Sequence, residues 1–598
     1  MNSNDKSQIT NGREGRPPSS PGFSAAWGRV LGLALLLLSA VPSHAGARPV
    51  LDGGAPTARG KFSADLQQRA AAAHGMVTVI VQHRQMPTSA HLKAMQHRGA
   101  TIRSKFHTIR AVTMRVPASM LAELAKDPNV AYITPDRPVS MTAANNEEFA
   151  TAIEADVAAA QFGFDGTGVG VAVIDSGIAD HPDLYNASGA SRVVYSQSFV
   201  AGDTTTPDQF GHGTHVAGLV GGTGANSGTA NGYQATYAGM APNVNLINLR
   251  VLDQNGSGTD SQVIAAIEQA IALQSTYNIR VINMSLGRPV FESYTLDPVD
   301  QAVEAAWQAG IVVVVAAGNT GRFAPTNGFA TIGVPANDPA VITVGATMTL
   351  GTATRVDDKI ASYSSKGPTA IDHIVKPDLI APGNRLVSLR VAGSTLDTNY
   401  PKYEVAPASG TAMYFQLSGT SMATPVVSGA VALMLQQNPA LTPDQVKARL
   451  MKTAWKGFGR YSQSSDHWGN LYSNEYDLFT YGAGYLDIDT ALNNTDLATG
   501  VALSPTAVYN SRNGSVTIVN TSSAAFGGSS VVWGATSVVW GNSVVWGAGA
   551  FASDSVVWGA TSVVWGSTSV SGFSVVWGAT STANTSMASL SNGDDGDN

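Results

Sequence analysis

The chain has 598 residues, a net charge of −7 and only 13% charged residues. That length exceeds one ordinary domain and supports a large buried core with appendages. The acidic balance argues against a nucleic-acid partner, and with no cysteine there is no disulfide framework, thiolate metal site or cysteine nucleophile.

Arg13, Arg16 and Arg29 precede the apolar run Val30 to Val41, and small residues follow in Ser43-His44-Ala45-Gly46-Ala47. This order reads as a signal peptide over residues 1–47, cut after Ala45 or Ala47. An uncleaved anchor is the alternative, and the shortness of the run argues against it. The only membrane role expected is that of a secretion signal. The product is expected to be secreted, into the medium, a periplasm or onto the cell surface.

Residues 48–75 read as a polar, Ala-rich linker. Over residues 76–141 the pattern tightens into a small α+β module. Met76 to Val81 is a predicted strand, Ser89 to His97 a helix, and Ala111 to Val116 an alternating, half-buried strand. Pro117 to Leu124 reads as a helix entered by proline at its first position, and Asn129 to Ile133 as a closing strand. Polar sequence from Thr142 to Glu148 leads into a second unit, residues 142–500. There Val/Ile-rich strands (Val169 to Asp175, Val244 to Val251, Ile279 to Met284, Ile311 to Ala316, Val341 to Val344) alternate with helices such as Gln262 to Gln274 and Val299 to Ala309. This pattern predicts an α/β fold, a parallel sheet with helices on both faces. Functional groups are expected at the carboxyl ends of its strands.

Four residues stand at such places. Asp175 ends the first strand beside Ser176-Gly177. His212 opens a helix between glycines in Gly211-His212-Gly213-Thr214-His215, with His215 turned to the packed side. Asn319 follows the valine-rich strand, where its side-chain N–H can donate to an oxyanion. Ser421 lies in the first turn of an apolar helix, with Pro425 placed close enough to its start to be tolerated. The two histidines, three residues apart, lack the further ligands that a metal would need.

Asp175, His212, Asn319 and Ser421, in that order, resemble the subtilisin-like serine protease family (subtilases, peptidase S8). The matching phrases are Val173-Ile174-Asp175-Ser176-Gly177, Gly211 to Gly218 and Gly419-Thr420-Ser421-Met422-Ala423-Thr424-Pro425. Val281 to Gly287, Ser364 to Pro368 and Lys376 to Gly383 follow the family as well. The resemblance implies a serine endopeptidase with Asp175, His212 and Ser421 as catalytic triad and Asn319 in the oxyanion hole. It needs no cofactor for its chemistry.

The resemblance also implies that Gly256-Ser257-Gly258 and Ser285-Leu286-Gly287 bind the substrate backbone as added strands. Gly333 would floor the S1 pocket, favouring large apolar or aromatic P1 residues. Structural calcium is common in the family. Here Asp183 would be a ligand or a turn residue, and the loop 222–232 that should complete the site has no carboxylate. The 76–141 module resembles the family's ferredoxin-like inhibitory propeptide, an intramolecular inhibitor cut off by the enzyme near Met141. Protein or peptide substrates are the implied partners.

Residues 501–598 are rich in Ser, Gly and Thr and repeat Val-Val-Trp-Gly at Trp533, Trp540, Trp546, Trp558, Trp565 and Trp577. The tail reads as low-complexity sequence, as a cell-surface or glycan-binding segment, or as an accessory piece removed on maturation. A rival to the secreted, self-processed endopeptidase is therefore a surface adhesin whose peptidase domain serves its own maturation.

Overall fold

The computed structural model describes residues 58–63, 65–66, 75–140, 145–147, 150, 152–352, 354–459, 461–466, 469–510, 515–519 and 525–526. The predicted signal peptide, most of the linker, Met141 and the Val-Val-Trp-Gly repeats lie outside the described residues.

The N-terminal module is built from β1 (Met76–His83), α1 (Ser89–His97), β2 (Thr101–Phe106), β3 (Ala111–Pro117), α2 (Leu121–Lys126) and β4 (Val130–Pro135). The strands form an antiparallel sheet in the order β2-β3-β1-β4, the ferredoxin-like arrangement. The sequence expectation missed β2, an edge strand whose Arg103, Ser104 and Lys105 give little hydrophobic signal. Pro117 does not open a helix: it pairs with Met76 at the end of β3, and a short 3-10 turn, Ala118–Met120, leads into α2. Val79, Val81, Val112 and Met114 face Leu92, Met95, Leu121 and Leu124 of the two helices. Ile80, Phe106 and Ala111 instead join the core of the large domain, so the module is apolar on both faces of its sheet.

After the short tail strand β5 (Pro138–Ser140), a short strand at Asn145–Glu147 and a helix at Ala155–Phe162, the main sheet of the large domain opens with β6 (Gly170–Asp175) and β7 (Val193–Ser198). It continues with α3 (His212–Gly221), β8 (Asn245–Arg250), β9 (Ser257–Thr259), α4 (Asp260–Ala272) and β10 (Ile279–Met284). Next come α5 (Pro298–Gln308), β11 (Val312–Ala316), β12 (Ile342–Met348), β13 (Leu379–Pro382), β14 (Arg385–Leu389), β15 (Tyr414–Leu417) and α6 (Thr420–Gln437). The main sheet runs β12-β11-β10-β6-β8-β7 with parallel pairing throughout, and β13 adds parallel to β12. The short Lys359–Ile360 strand closes the β12 edge antiparallel. Strand order reverses between β6 and β10, where a doubly wound sheet leaves a crevice at its carboxyl edge.

Helix α6 is buried from Thr420 to Leu435, a central helix rather than an amphipathic surface one. Its cap is Gly419, so Pro425 sits in the second turn, not the first as expected. The missing Pro425 N–H leaves the Ser421 carbonyl without its helical donor, and Ser285 Oγ donates to that oxygen instead (2.8 Å). Packing continues past residue 500: buried Ser504 donates to Asp378 Oδ1 (2.6 Å), and Ala507 N donates to His373 O.

Candidate active site

The end of β6, the starts of α3 and α6 and the residues after β10 and β11 gather at the crevice. Asp175 is the last residue of β6, and its Oδ1 accepts from Ser176 N (2.7 Å) and from His212 Nδ1 (3.0 Å). Both side chains are buried. With Nδ1 donating to the carboxylate, the other ring nitrogen is left with a lone pair. His212 Nε2 is buried and makes no hydrogen bond.

Ser421, the second residue of α6, donates from Oγ to the Ser285 carbonyl (3.1 Å) rather than to His212. Helices α3 and α6 pack together where Val220 O meets Gly429. Each contact residue lies eight positions beyond His212 or Ser421. Asn319 stands just beyond β11. Its Oδ1 accepts from Thr420 N and Thr420 Oγ1, both at 2.9 Å. These two bonds fix the amide plane and leave Nδ2 as its donor end. The first-turn N–H of Ser421 has no carbonyl a turn behind it. The arrangement therefore offers a hydroxyl, an imidazole lone pair, a carboxylate and oriented amide donors along one edge.

Asp208 was missed by the sequence reading, because it lies in an irregular loop with no periodic signal. It is buried, with Oδ1 accepting from Ser176 Oγ (2.9 Å), Phe210 N (3.0 Å) and Gly211 N (2.7 Å). Its Oδ2 accepts from Thr214 N and Thr214 Oγ1, both at 2.9 Å. Ser176 Oγ in turn accepts from Gly213 N (2.9 Å). One carboxylate thus ties the start of α3 to the residue following Asp175, although burial pushes its pKa up. His215 is buried with Nε2 against Leu386 O (3.2 Å) and Phe415 O (3.0 Å), as its expected packed position requires. Burial and the neighbouring His212 push its pKa down to about 3.

The sequence model of the subtilase family matches residues 166–484. The chain is 37% identical over 340 residues to subtilisin DY of Bacillus licheniformis, covering 57% of this chain and 96% of that protein. It is 40% identical over 332 residues to the serine protease AprX of Bacillus subtilis, covering 55% of this chain and 66% of that one. The chain belongs to the subtilase family. It is a subtilisin-like serine endopeptidase. The crystal structure of fervidolysin from Fervidobacterium pennivorans shares the fold, with a TM-score of 0.53 at 22% identity over 74% of this chain and 65% of that one.

In this subtilase the predicted substrate-binding segments have distinct settings. Gly256 has a positive φ of 68°, and a Cβ there would lie 2.7 Å from the Phe210 ring. Ser257 and Gly258 pair antiparallel with Ser140 and Val139 of β5. Ser285 and Leu286 are buried directly after β10, and Gly287 is half-buried. Gly333 donates to Ala317 O (3.2 Å), and a Cβ there would lie 2.8 Å from Arg288 O, so close backbone packing demands glycine.

Asp183 is fully buried and surrounded by donors. Its Oδ1 accepts from Asn226 N (3.1 Å) and Asn226 Nδ2 (2.7 Å), and its Oδ2 from Tyr414 Oη (2.6 Å). Burial and Asp183 itself raise the Tyr414 pKa, keeping that phenol a donor. Among the described residues, no three His, Asp or Glu side chains group as metal ligands. Calcium needs several oxygens aimed at one point. The residues around Asp183 present N–H and O–H groups and do not fit it.

Proposed function

We propose that this subtilase is made as an exported zymogen, cuts off its own 76–141 module and then hydrolyses protein substrates through an acyl-enzyme. Ser421 is the nucleophile, and His212 takes its proton and returns it to the leaving amine. Asp175 holds the imidazole with Nδ1 protonated and stabilises its cation. Asn319 Nδ2 and the Ser421 N–H receive the oxyanion. For the first step Ser421 Oγ must leave the Ser285 carbonyl and turn toward His212 Nε2, whose lone pair no other group occupies. Catalytic hydrogen bonds commonly tighten only when substrate is bound.

The observation that carries the zymogen reading is the antiparallel pairing of β5 with β9, a two-stranded ribbon on the segment expected to bind the substrate backbone. Its polypeptide enters from the N-terminal module and leads towards Met141, as a substrate or a just-cut product would. Export rests on the residue order in 1–47, and a preference for large apolar P1 residues on Gly333. The chemistry requires no cofactor.

The test is the intact mass of the purified full-length protein beside Ser421→Ala. Wild type is expected to lose everything up to about residue 141, and Ser421→Ala to keep it. Identical masses from two folded proteins would refute self-processing by Ser421.

A further inference from the structure

Arg137, just before β5, is almost fully buried against the large domain. Its Nη1 donates to Glu292 Oε1 (2.7 Å) and lies 3.8 Å from Asp297 Oδ2. Its guanidinium sits over the Phe291 ring, 5.1 Å from the centroid. Its Nε and Nη2 donate to Asp65 of the N-terminal module (3.1 and 2.9 Å). The Arg137 carbonyl accepts from Asp260 N (2.7 Å), which extends the β5–β9 pairing by one residue.

The carboxylates of the large domain are committed differently. Arg288 donates to Asp260 (2.7 Å) and Asp297 (2.6 Å), and Asp297 also caps α5 through Val299 N. Glu292 receives no hydrogen bond from such an internal cation, although the charge of Arg288 acts on it. Oε1 accepts from Arg137 and from Thr134 Oγ1 (2.9 Å), both on the module, and Oε2 accepts no hydrogen bond. Departure of the module takes away Asp65, Thr134 and Arg137 together. It leaves a carboxylate that has lost its cation, beside an aromatic face, a setting that favours a planar cation.

We propose that Glu292, with Phe291 and Asp297 beside it, forms a substrate subsite for a basic side chain, arginine above lysine. The basic residue is the one lying two positions before the residue opposite Gly258 and three before the residue opposite Ser257. Arg137 occupies it in the zymogen, and a substrate strand paired with β9 in the same register brings its own side chain there. The proposal rests on the reading of Ser421 as nucleophile and of the module as a departing propeptide. Arginine fits better than lysine because its fork meets a carboxylate while its plane stacks on the ring.

The test uses enzyme purified from the full-length chain and quenched peptides spanning the sequence of residues 134–147, with Arg, Lys, Gln or Glu at the position of Arg137. The expected result is a kcat/KM roughly tenfold higher for Arg than for Gln, carried mainly by KM, with Lys between and Glu lowest. The Arg-to-Gln ratio should shrink with added salt and collapse towards one in Glu292→Gln. Phe291→Leu should lower it part of the way. A wild-type ratio within twofold, or one unchanged in a folded Glu292→Gln enzyme, overturns the proposal. Cleavage of none of the peptides overturns the nucleophile reading instead and takes the subsite with it.

Discussion

Replacing Asp208 by asparagine tests whether the start of α3 is held by one carboxylate. The Asp208 oxygens accept five hydrogen bonds, three of them from backbone N–H groups that cannot reverse: Phe210 and Gly211 on Oδ1, Thr214 on Oδ2. An amide can replace only one oxygen. In either orientation its NH₂ meets at least one of these donors, so one or more buried N–H groups lose their acceptor. Losing the two bonds at Oδ2 costs about 1 kcal/mol each, and the stranded N–H adds about 1–3 kcal/mol. The sum is roughly 3–5 kcal/mol, or a melting temperature lower by about 5 °C for a domain this large. The melts should be run on Ser421→Ala protein, so that self-digestion does not enter. In the active enzyme, Asp208→Asn should lower kcat with little change in KM, because His212 opens the helix that loosens. A protonated Asp208 would tolerate the amide. An unchanged melting temperature together with unchanged kcat would refute the reasoning.

Asn319→Ala should lower kcat by about 10²–10³ with KM nearly constant, the loss known for such a donor in subtilisin; steady-state kinetics on a peptide substrate reads it. Stability should fall on acidification from pH 6.5 to about 3. Over that range unfolded His215 takes up a proton that the native, buried ring refuses. The loss is on the order of 4 kcal/mol, and urea melts of Ser421→Ala with and without His215→Gln should diverge in this window. Chelation should leave the melting temperature unchanged within about 1 °C, because the Asp183 carboxylate is met by Asn226 and Tyr414; a large drop in EDTA, reversed by calcium, would contradict that.

Legibility followed locality. Asp175, His212, Asn319 and Ser421 each stand at a strand end or helix start marked by glycine and small residues, so a few neighbours announce them. Five of the parallel strands were equally plain, because burial on both faces forces near-continuous Val and Ile, whereas the part-exposed edge strand β7 and the short β13 were not singled out. Strand β2 escaped because an edge strand keeps one face in water and needs few apolar residues. Asp208 escaped because its role depends on Ser176, 32 residues away, and an acid in a loop has no signature of its own. The pairing of Arg137 with Glu292 spans 155 residues and becomes visible only when the module docks. The role of Pro425 was misplaced by one turn: its neighbours placed it near a helix start, but only the structure locates the cap at Gly419.

That proline has a mechanical consequence. In an uninterrupted helix the carbonyl of Ser421 would be fastened to its own next turn, and the serine would move as part of a rod. Here the fastening is transferred to Ser285, which also accepts the Ser421 hydroxyl and directly follows a central strand of the sheet. The serine is therefore clamped from both ends by one neighbouring residue, on the stretch expected to meet the substrate backbone. A displacement of that stretch is passed to Ser421 without the helix having to bend.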